Sequence, residues 1–308
     1  MGAIGSPRSL REPHSRPEAT LCRVGEKPNA RGAARGPHAG YRHRVVVSDL
    51  DGTLWSHDER VHPRSRRAIA ELEAQGIRLL FATGRRLAAA RRGLDPLGWA
   101  GNLVTMNGAT GTDLRSGTEW HREAFSHAAA AATWDTFLEA RLPPVVYVCD
   151  ETTDVVFPPG CATSPAHRAS FERAETHYPG PVLASGRVIG FALCGIEGSA
   201  WTRAQAVGAR LAQRAAVHVG PDATYGGGWL AVGPPAATKR ATVARWCAAN
   251  GVAPADVVAL GDGGNDLELL GWAGTSVAVR GSVCAQAGAD HVIAPPSDGG
   301  WASVLDLL

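Results

Sequence analysis

The sequence predicts an α/β fold: a parallel sheet covered on both faces, with a second α/β layer inserted into the chain. Three observations point there. Short apolar, β-branched runs alternate with helical patterns from residue 44 to about 109. The pattern changes between about 110 and 233, and the first pattern then resumes to the end. Runs that are apolar throughout belong to strands buried on both faces.

The first run, residues 44–48 (RVVVS), reads as a buried strand that ends at Asp49-Leu50-Asp51-Gly52-Thr53. A helix is expected from about Pro63 to Gln75, where Ala68, Ile69 and Leu72 make an apolar stripe and Gly76 stops it. Residues 77–82 (IRLLFA) give the next strand, ending at Thr83-Gly84-Arg85. Residues 86–92 read as helix, and 103–106 as a short strand ending at Asn107-Gly108. The middle section reads as helix 127–141, strands 145–149 and 153–157, helix 165–176, strand 188–196, helix 199–214 and strands 216–219 and 229–232. Helix 238–250 and strand 257–260 (VVAL) restore the first pattern. A Gly261-Asp262-Gly263-Gly264-Asn265-Asp266 loop then opens a helix to about Leu270, followed by strand 276–279, helix 282–288, strand 291–293 and a terminal helix.

Composition narrows the function classes. The 308 residues carry 31 Lys+Arg against 29 Asp+Glu, so no global charge argues for nucleic acid or a membrane surface. No apolar run approaches the roughly 18 residues of a membrane span. Six scattered cysteines, with no close pair, make a reducing, cytoplasmic setting the expectation. Residues 1–42 hold eight Lys/Arg and three acids, lack an apolar core and show no period. They read as a disordered basic tail rather than a secretory signal.

The polar chemistry gathers at strand ends, where ligands of parallel sheets bind. Asp49 and Asp51, Thr83, Asn107, and Asp262 with Asp266 all stand there. Converging carboxylates without nearby His or Cys suit Mg²⁺ better than Zn²⁺. One carboxylate can attack phosphorus, and a second can protonate the leaving alkoxide. Gly52 allows close backbone approach, and Thr83 and Lys239 suit phosphate contact. The chain has two lysines, Lys27 in the tail and Lys239, so the folded part offers one compact ammonium.

These residues resemble the four motifs of the haloacid dehalogenase-like (HAD) hydrolase superfamily. Residues 49–54 (DLDGTL) resemble motif I, 83–85 (TGR) motif II, Lys239 motif III and 261–266 (GDGGND) motif IV. The Asn107-Gly108-Ala109 turn and the large insert point to the Cof-like sugar-phosphatase branch. The chain departs from that branch at Arg240, Gly263-Gly264 and Arg280-Gly281-Ser282, none of which removes a catalytic group.

The resemblance implies a Rossmann-like core at 43–109 and 234–308, with an α/β cap at 110–233 that sets specificity. It implies Mg²⁺-dependent hydrolysis of small phosphorylated metabolites, sugar phosphates or cofactor precursors, through an aspartyl-phosphate. Asp49 is then the nucleophile and Asp51 the general acid/base. Thr83, Gly84 and Lys239 bind phosphate. Asp49, Asp262 and the Asp51 carbonyl hold Mg²⁺. Asn265 and Asp266 support the site, and Asn107 and Gly108 are candidate substrate contacts.

A phosphomutase using the same aspartyl chemistry and a non-catalytic metabolite-binding protein are the alternatives, and the oligomeric state is left open. The eleven histidines show no ligand spacing and read as surface or core, and the nine tryptophans read mostly as packing.

Overall fold

The computed structural model describes residues 45–56, 58–150, 152–222 and 224–308; the basic tail at 1–42 lies outside the described residues. Two sheets organise them.

The first sheet has eight strands. In chain order these are β1 (Val45–Ser48), β2 (Arg78–Ala82), β3 (Asn102–Thr105), β4 (Thr110–Asp113), β5 (Thr118–Arg122), β12 (Val257–Gly261), β13 (Thr275–Val279) and β14 (His291–Ile293). Their spatial order is β14-β13-β12-β1-β2-β3-β4-β5. The six strands from β14 to β3 run parallel, whereas β4 and β5 are antiparallel.

Helices α1 (Pro63–Ala74) and α2 (Leu87–Leu94) follow β1 and β2. Helices α7 (Lys239–Ala249), α8 (Leu267–Trp272) and α9 (Val283–Gln286) belong to the second half. Successive strand residues serve opposite faces, which is why the strands are apolar throughout. Val46, Phe81, Leu103 and Leu260 join Leu72 of α1 in one core. Val45, Leu80, Val104 and Ala259 pack with Val243 of α7 and Leu269 of α8 in the other.

The second sheet has six strands in the order β10-β11-β9-β6-β7-β8. They are β6 (Val145–Val148), β7 (Val155–Phe157), β8 (Ala174–Thr176), β9 (Val188–Ile196), β10 (Ala216–Pro221) and β11 (Gly228–Gly233). Helices α3 (His127–Glu139) and α6 (Gly198–Leu211) cover one face, where Phe137 and Val207 meet Phe191, Leu193 and Leu230. Two short helices, α4 (Pro165–Ala169) and α5 (Gly180–Leu183), complete the layer.

Three expectations are corrected. The inserted layer does not begin at 110, because β4 and β5 form a hairpin on the edge of the first sheet. The chain crosses at Ala124: Glu123 N–H still donates to Ala109, while Phe125 N–H donates to Val188 of the second sheet. The hairpin reads TGTD and TEWHR, too polar for the buried-strand pattern, as an edge strand can be.

The expected helix over 165–176 stops at Ala169, and Ala174–Thr176 pairs with β7 as a strand. Ser170 ends it by turning its hydroxyl back to the His167 carbonyl at 2.7 Å. The terminal helix is a 3₁₀ helix, Gly300–Leu307.

Candidate active site

The site forms at the carboxyl ends of β1, β2, β3 and β12, where β1 lies between β12 and β2 and the connections diverge. Asp49 follows β1 directly, its N–H donating to Leu260 of β12 at 3.0 Å. It is 5% exposed. Lys239, 1% exposed at the start of α7, donates from Nζ to Asp49 Oδ1 at 2.7 Å and to Asp266 Oδ1 at 2.6 Å. Thr238 sets Lys239 there by capping α7, its hydroxyl accepting from Ala241 N–H. Gly108 makes the approach possible, since a Cβ at its φ of 111° would strike the Thr238 backbone. The Gly108 carbonyl accepts from the Thr242 hydroxyl at 2.7 Å.

Asp266 is fully buried. Its Oδ2 accepts from the backbone N–H groups of Asp262 and Gly263, at 3.2 and 3.0 Å. Asp262 receives the Thr53 hydroxyl on Oδ1 at 3.0 Å. Carboxylate oxygens of Asp49, Asp262 and Asp266 lie within 4.8 Å of one another.

Burial pushes the Asp49 carboxyl well up; Lys239 pulls it back, and Asp266, Asp262 and Asp51 push it up again. Asp262 is pushed up to about 6, by burial first and then by Asp266. Burial opposes the Lys239 charge, but Asp266 and Asp49 outweigh it and hold the ammonium above its usual range. Three carboxylates against one ammonium leave an excess of negative charge in a buried space. That donor set, all hard oxygen, fits Mg²⁺.

Asp51 is placed differently. Its side chain is 45% exposed and turns away from the cluster to Arg85. Arg85 Nε donates to Oδ2 at 2.7 Å and Nη2 to Oδ1 at 2.6 Å. Trp55 Nε1 donates to Oδ1 at 3.0 Å, and Arg85 also pairs with Glu59. Burial works against the Arg85 charge, but the contacts with Asp51 and Glu59 hold its guanidinium above the ordinary arginine range.

Thr83 is buried, and its hydroxyl accepts from Arg85 N–H at 3.1 Å. Gly84 lies against the Asn107 side chain, where a Cβ would stand 3.0 Å from Oδ1. Asn107, at φ 55°, accepts on Oδ1 from Asn265 Nδ2 at 2.9 Å.

Between the two sheets lies a cavity of about 260 Å³, bounded by Asp51, Gly84, Arg85 and Asn107 on the first sheet's side. Gly108 is not among its lining residues, nor are Asp49, Lys239 and Asp262. The second sheet contributes Tyr147, His218 and Trp229, helix α4 contributes His167, and Phe171 and Tyr225 join them from loops. Arg86 bridges the layers: its guanidinium donates to the Ser170 carbonyl, lies 3.7 Å from Asp154 and stacks 4.1 Å over Phe171.

Sequence reasoning missed the Arg85–Asp51–Trp55 group and the histidines of this wall. The available signal was an alternation of bulk. β9 reads G-F-A-L-C from 190 to 194, and β11 reads W-L-A-V-G from 229 to 233. Phe191, Leu193, Leu230 and Val232 belong to the apolar core, and the small residues between them line the cavity.

A family model described as haloacid dehalogenase-like hydrolase matches residues 46–176 and 210–305. An HMP-PP phosphatase from Serratia proteamaculans is 31% identical over 111 residues, covering 30% of this chain and 40% of the relative. A phosphoglycolate phosphatase from Methanopyrus kandleri is 38% identical over 64 residues, covering 21% and 28%. The chain thus spans well under half the length of either relative. A solved phosphatase structure of the haloalkanoate (HAD) superfamily, from Bacteroides thetaiotaomicron, superposes with a TM-score of 0.70 at 20% identity. It covers 90% of this chain and 98% of that one, and shows a shared fold. No helix among the described residues is long and apolar enough to cross a membrane.

Proposed function

Because the chain belongs to the haloacid dehalogenase-like hydrolase family, we propose that it is a Mg²⁺-dependent phosphatase of small phosphorylated metabolites. The observation that carries this reading is the buried Asp49–Lys239–Asp266 chain beside Asp262, with Asp51 facing the cavity. Sugar phosphates and phosphorylated cofactor precursors are the proposed substrates, and the names of the relatives support the broader class of small phosphorylated molecules. The reading places the enzyme in the cytoplasm, in keeping with the five cysteines among the described residues, all of them free thiols.

Asp49 attacks phosphorus as the P–O bond to the leaving group breaks, and Asp51 gives a proton to the departing oxygen. Water then attacks the aspartyl-phosphate, Asp51 takes its proton, and the bond between phosphorus and Asp49 breaks. Lys239 holds Asp49 in line and offsets charge, while Thr83 and the Gly84 backbone receive phosphoryl oxygens. Asp49, Asp262 and the Asp51 carbonyl would hold Mg²⁺, whose positive charge lowers the repulsion between carboxylate and phosphate. Both oxygens of Asp266 are engaged, by Lys239 and by backbone N–H groups, so its part is to orient them. Asn265 does the same for Asn107. Residues from about 124 to 233 act as a cap that excludes water and selects the substrate.

The test is phosphate release from a panel of sugar phosphates and nucleotides, with Mg²⁺ and with chelator, for wild type and Asp49→Asn. Mg²⁺-dependent release that vanishes in the variant is expected. Isomerised sugar phosphate without free phosphate would replace this reading with the mutase.

A further inference from the structure

Two glycines, Gly263 and Gly264, follow Asp262 in the loop that leaves β12. A Cβ at Gly264 would meet nothing within 4 Å, so no neighbour steadies the loop there. Glycine gives a backbone its widest freedom. The loop also carries a carboxylate that Asp49 and Asp266 repel, with oxygens of all three within 4.8 Å of one another. Under that repulsion a pliant loop carries Asp262 away from the cluster unless its backbone is fastened.

The loop is held along both edges. On one, Asp266 Oδ2 accepts from the N–H groups of Asp262 and Gly263. On the other, the carbonyls of the same two residues accept from Cys284. Its N–H donates to Asp262 at 3.4 Å and its Sγ to Gly263 at 3.1 Å. The Gly263 carbonyl also accepts from Asp266 N–H, at 3.1 Å. Lys239 anchors Asp266, whereas a separate part of the fold anchors Cys284. There β13 ends at Val279 beside β12, and Gly281 turns the chain at φ 81°. The Ser282 hydroxyl then caps α9 by accepting from Ala285 N–H. Cys284 thus sits in the first turn of α9, 1% exposed. A thiol is a weak donor, but bulk water does not compete with it in so buried a place.

Resting on the Mg²⁺-dependent phosphatase reading above, we propose that Cys284 is a positioning residue for the metal site: its thiol, bonded to the Gly263 carbonyl, holds the two-glycine loop so that Asp262 is in place for Mg²⁺. Cys284 touches neither metal nor substrate and acts through Asp262. The sulfur supplies the stiffness that the Gly263-Gly264 pair gives up. Groups that orient a metal ligand from outside the ligand set are commonly worth about 10–100-fold in affinity, and a single thiol belongs at the lower end.

The experiment measures Mg²⁺ affinity by titration calorimetry on the full chain without substrate. The proteins are wild type, Cys284→Ala, Cys284→Val, Cys284→Ser and Cys247→Ala. Cys247 is the control, also 1% exposed but near the end of α7 far from Lys239. Removing the thiol in Cys284→Ala or Cys284→Val should weaken Mg²⁺ binding about tenfold. Cys284→Ser keeps a donor and should stay within about threefold of wild type, whereas a role in packing alone would leave it unrescued. Cys247→Ala should bind Mg²⁺ as wild type does. If Cys284→Ala does not fold, Cys284→Val decides. Affinity within about twofold of wild type in the folded alanine and valine variants at 284 overturns the proposal. Equal weakening in Cys284→Ser, or the same weakening in Cys247→Ala, overturns it too. Wild type that binds no Mg²⁺ overturns the metal-dependent reading and the proposal together. Wild type that binds Mg²⁺ beside indifferent variants overturns the proposal alone.

Discussion

Arg85 grips both carboxylate oxygens of Asp51, Nε to Oδ2 at 2.7 Å and Nη2 to Oδ1 at 2.6 Å. The same guanidinium lies 5.5 Å from the Trp55 ring centre, and the Trp55 indole N–H donates to the same carboxylate. The proposed acid/base thus rests against motif II, and one of its oxygens leaves the Arg85 fork when it carries a proton. Arg85→Lys supplies charge without the planar fork. The variant should lose about 10–100-fold in kcat with KM nearly unchanged, since misplacing an acid/base affects the chemical step. Steady-state kinetics on one substrate decide it; an equal loss carried by KM alone would assign Arg85 to substrate binding.

Lys239→Met should destabilise the fold by about 3–5 kcal/mol, the usual result of removing one partner from a buried ion pair. Asp49 and Asp266 both lose their ammonium. Mg²⁺ should raise the melting temperature of this variant more than that of wild type, because it restores positive charge to the cluster. A variant melting within a degree of wild type without Mg²⁺ would refute the electrostatic account.

Gly52 has φ 73°, and a Cβ there would run into the Asp262 carboxylate. Gly52→Ala should therefore weaken Mg²⁺ binding at least tenfold and cost about 1–3 kcal/mol in backbone strain. Titration calorimetry and thermal melts read the two effects separately. Gly76→Ala, at a similar φ of 71° with open space around it, should show the strain and leave Mg²⁺ affinity alone.

Burial lowers His167 from 6.5 to about 4. The unfolded chain then binds the extra proton first, so this group's contribution is full above pH 6.5 and disappears as pH falls through 4. The contribution is at most about 3 kcal/mol. Asp262, raised to about 6, works in the opposite sense, being stabilising at low pH and lost as pH rises. The difference between wild type and His167→Gln isolates the histidine. Wild type should lose more stability than the variant between pH 7 and 4.5 in urea melts; parallel curves would count against it.

Most of the core was legible because its strands are apolar on both faces and its site residues sit at their ends. Asp49, Lys239 and Asp262 could be named from residue type and order. The cleft wall could not, because it is made by what is missing: Gly190, Ala192 and Ala231 look like filler in a sequence and become a surface only when β9, β10 and β11 align. Asp51 was found but not its grip, since the Arg85 fork depends on how the turn after β2 meets the turn after β1. The hairpin of β4 and β5 escaped because edge strands need no apolar run.

Lys239 has one more consequence, for handling the molecule. Residues 45–308 contain no other lysine, and this one is 1% exposed. Amine-selective dyes, aldehyde cross-linkers and acetylating agents therefore find no accessible lysine anywhere on that surface. Such reagents should leave residues 45–308 unmarked. Label appearing at Lys239 would report that the interior had opened.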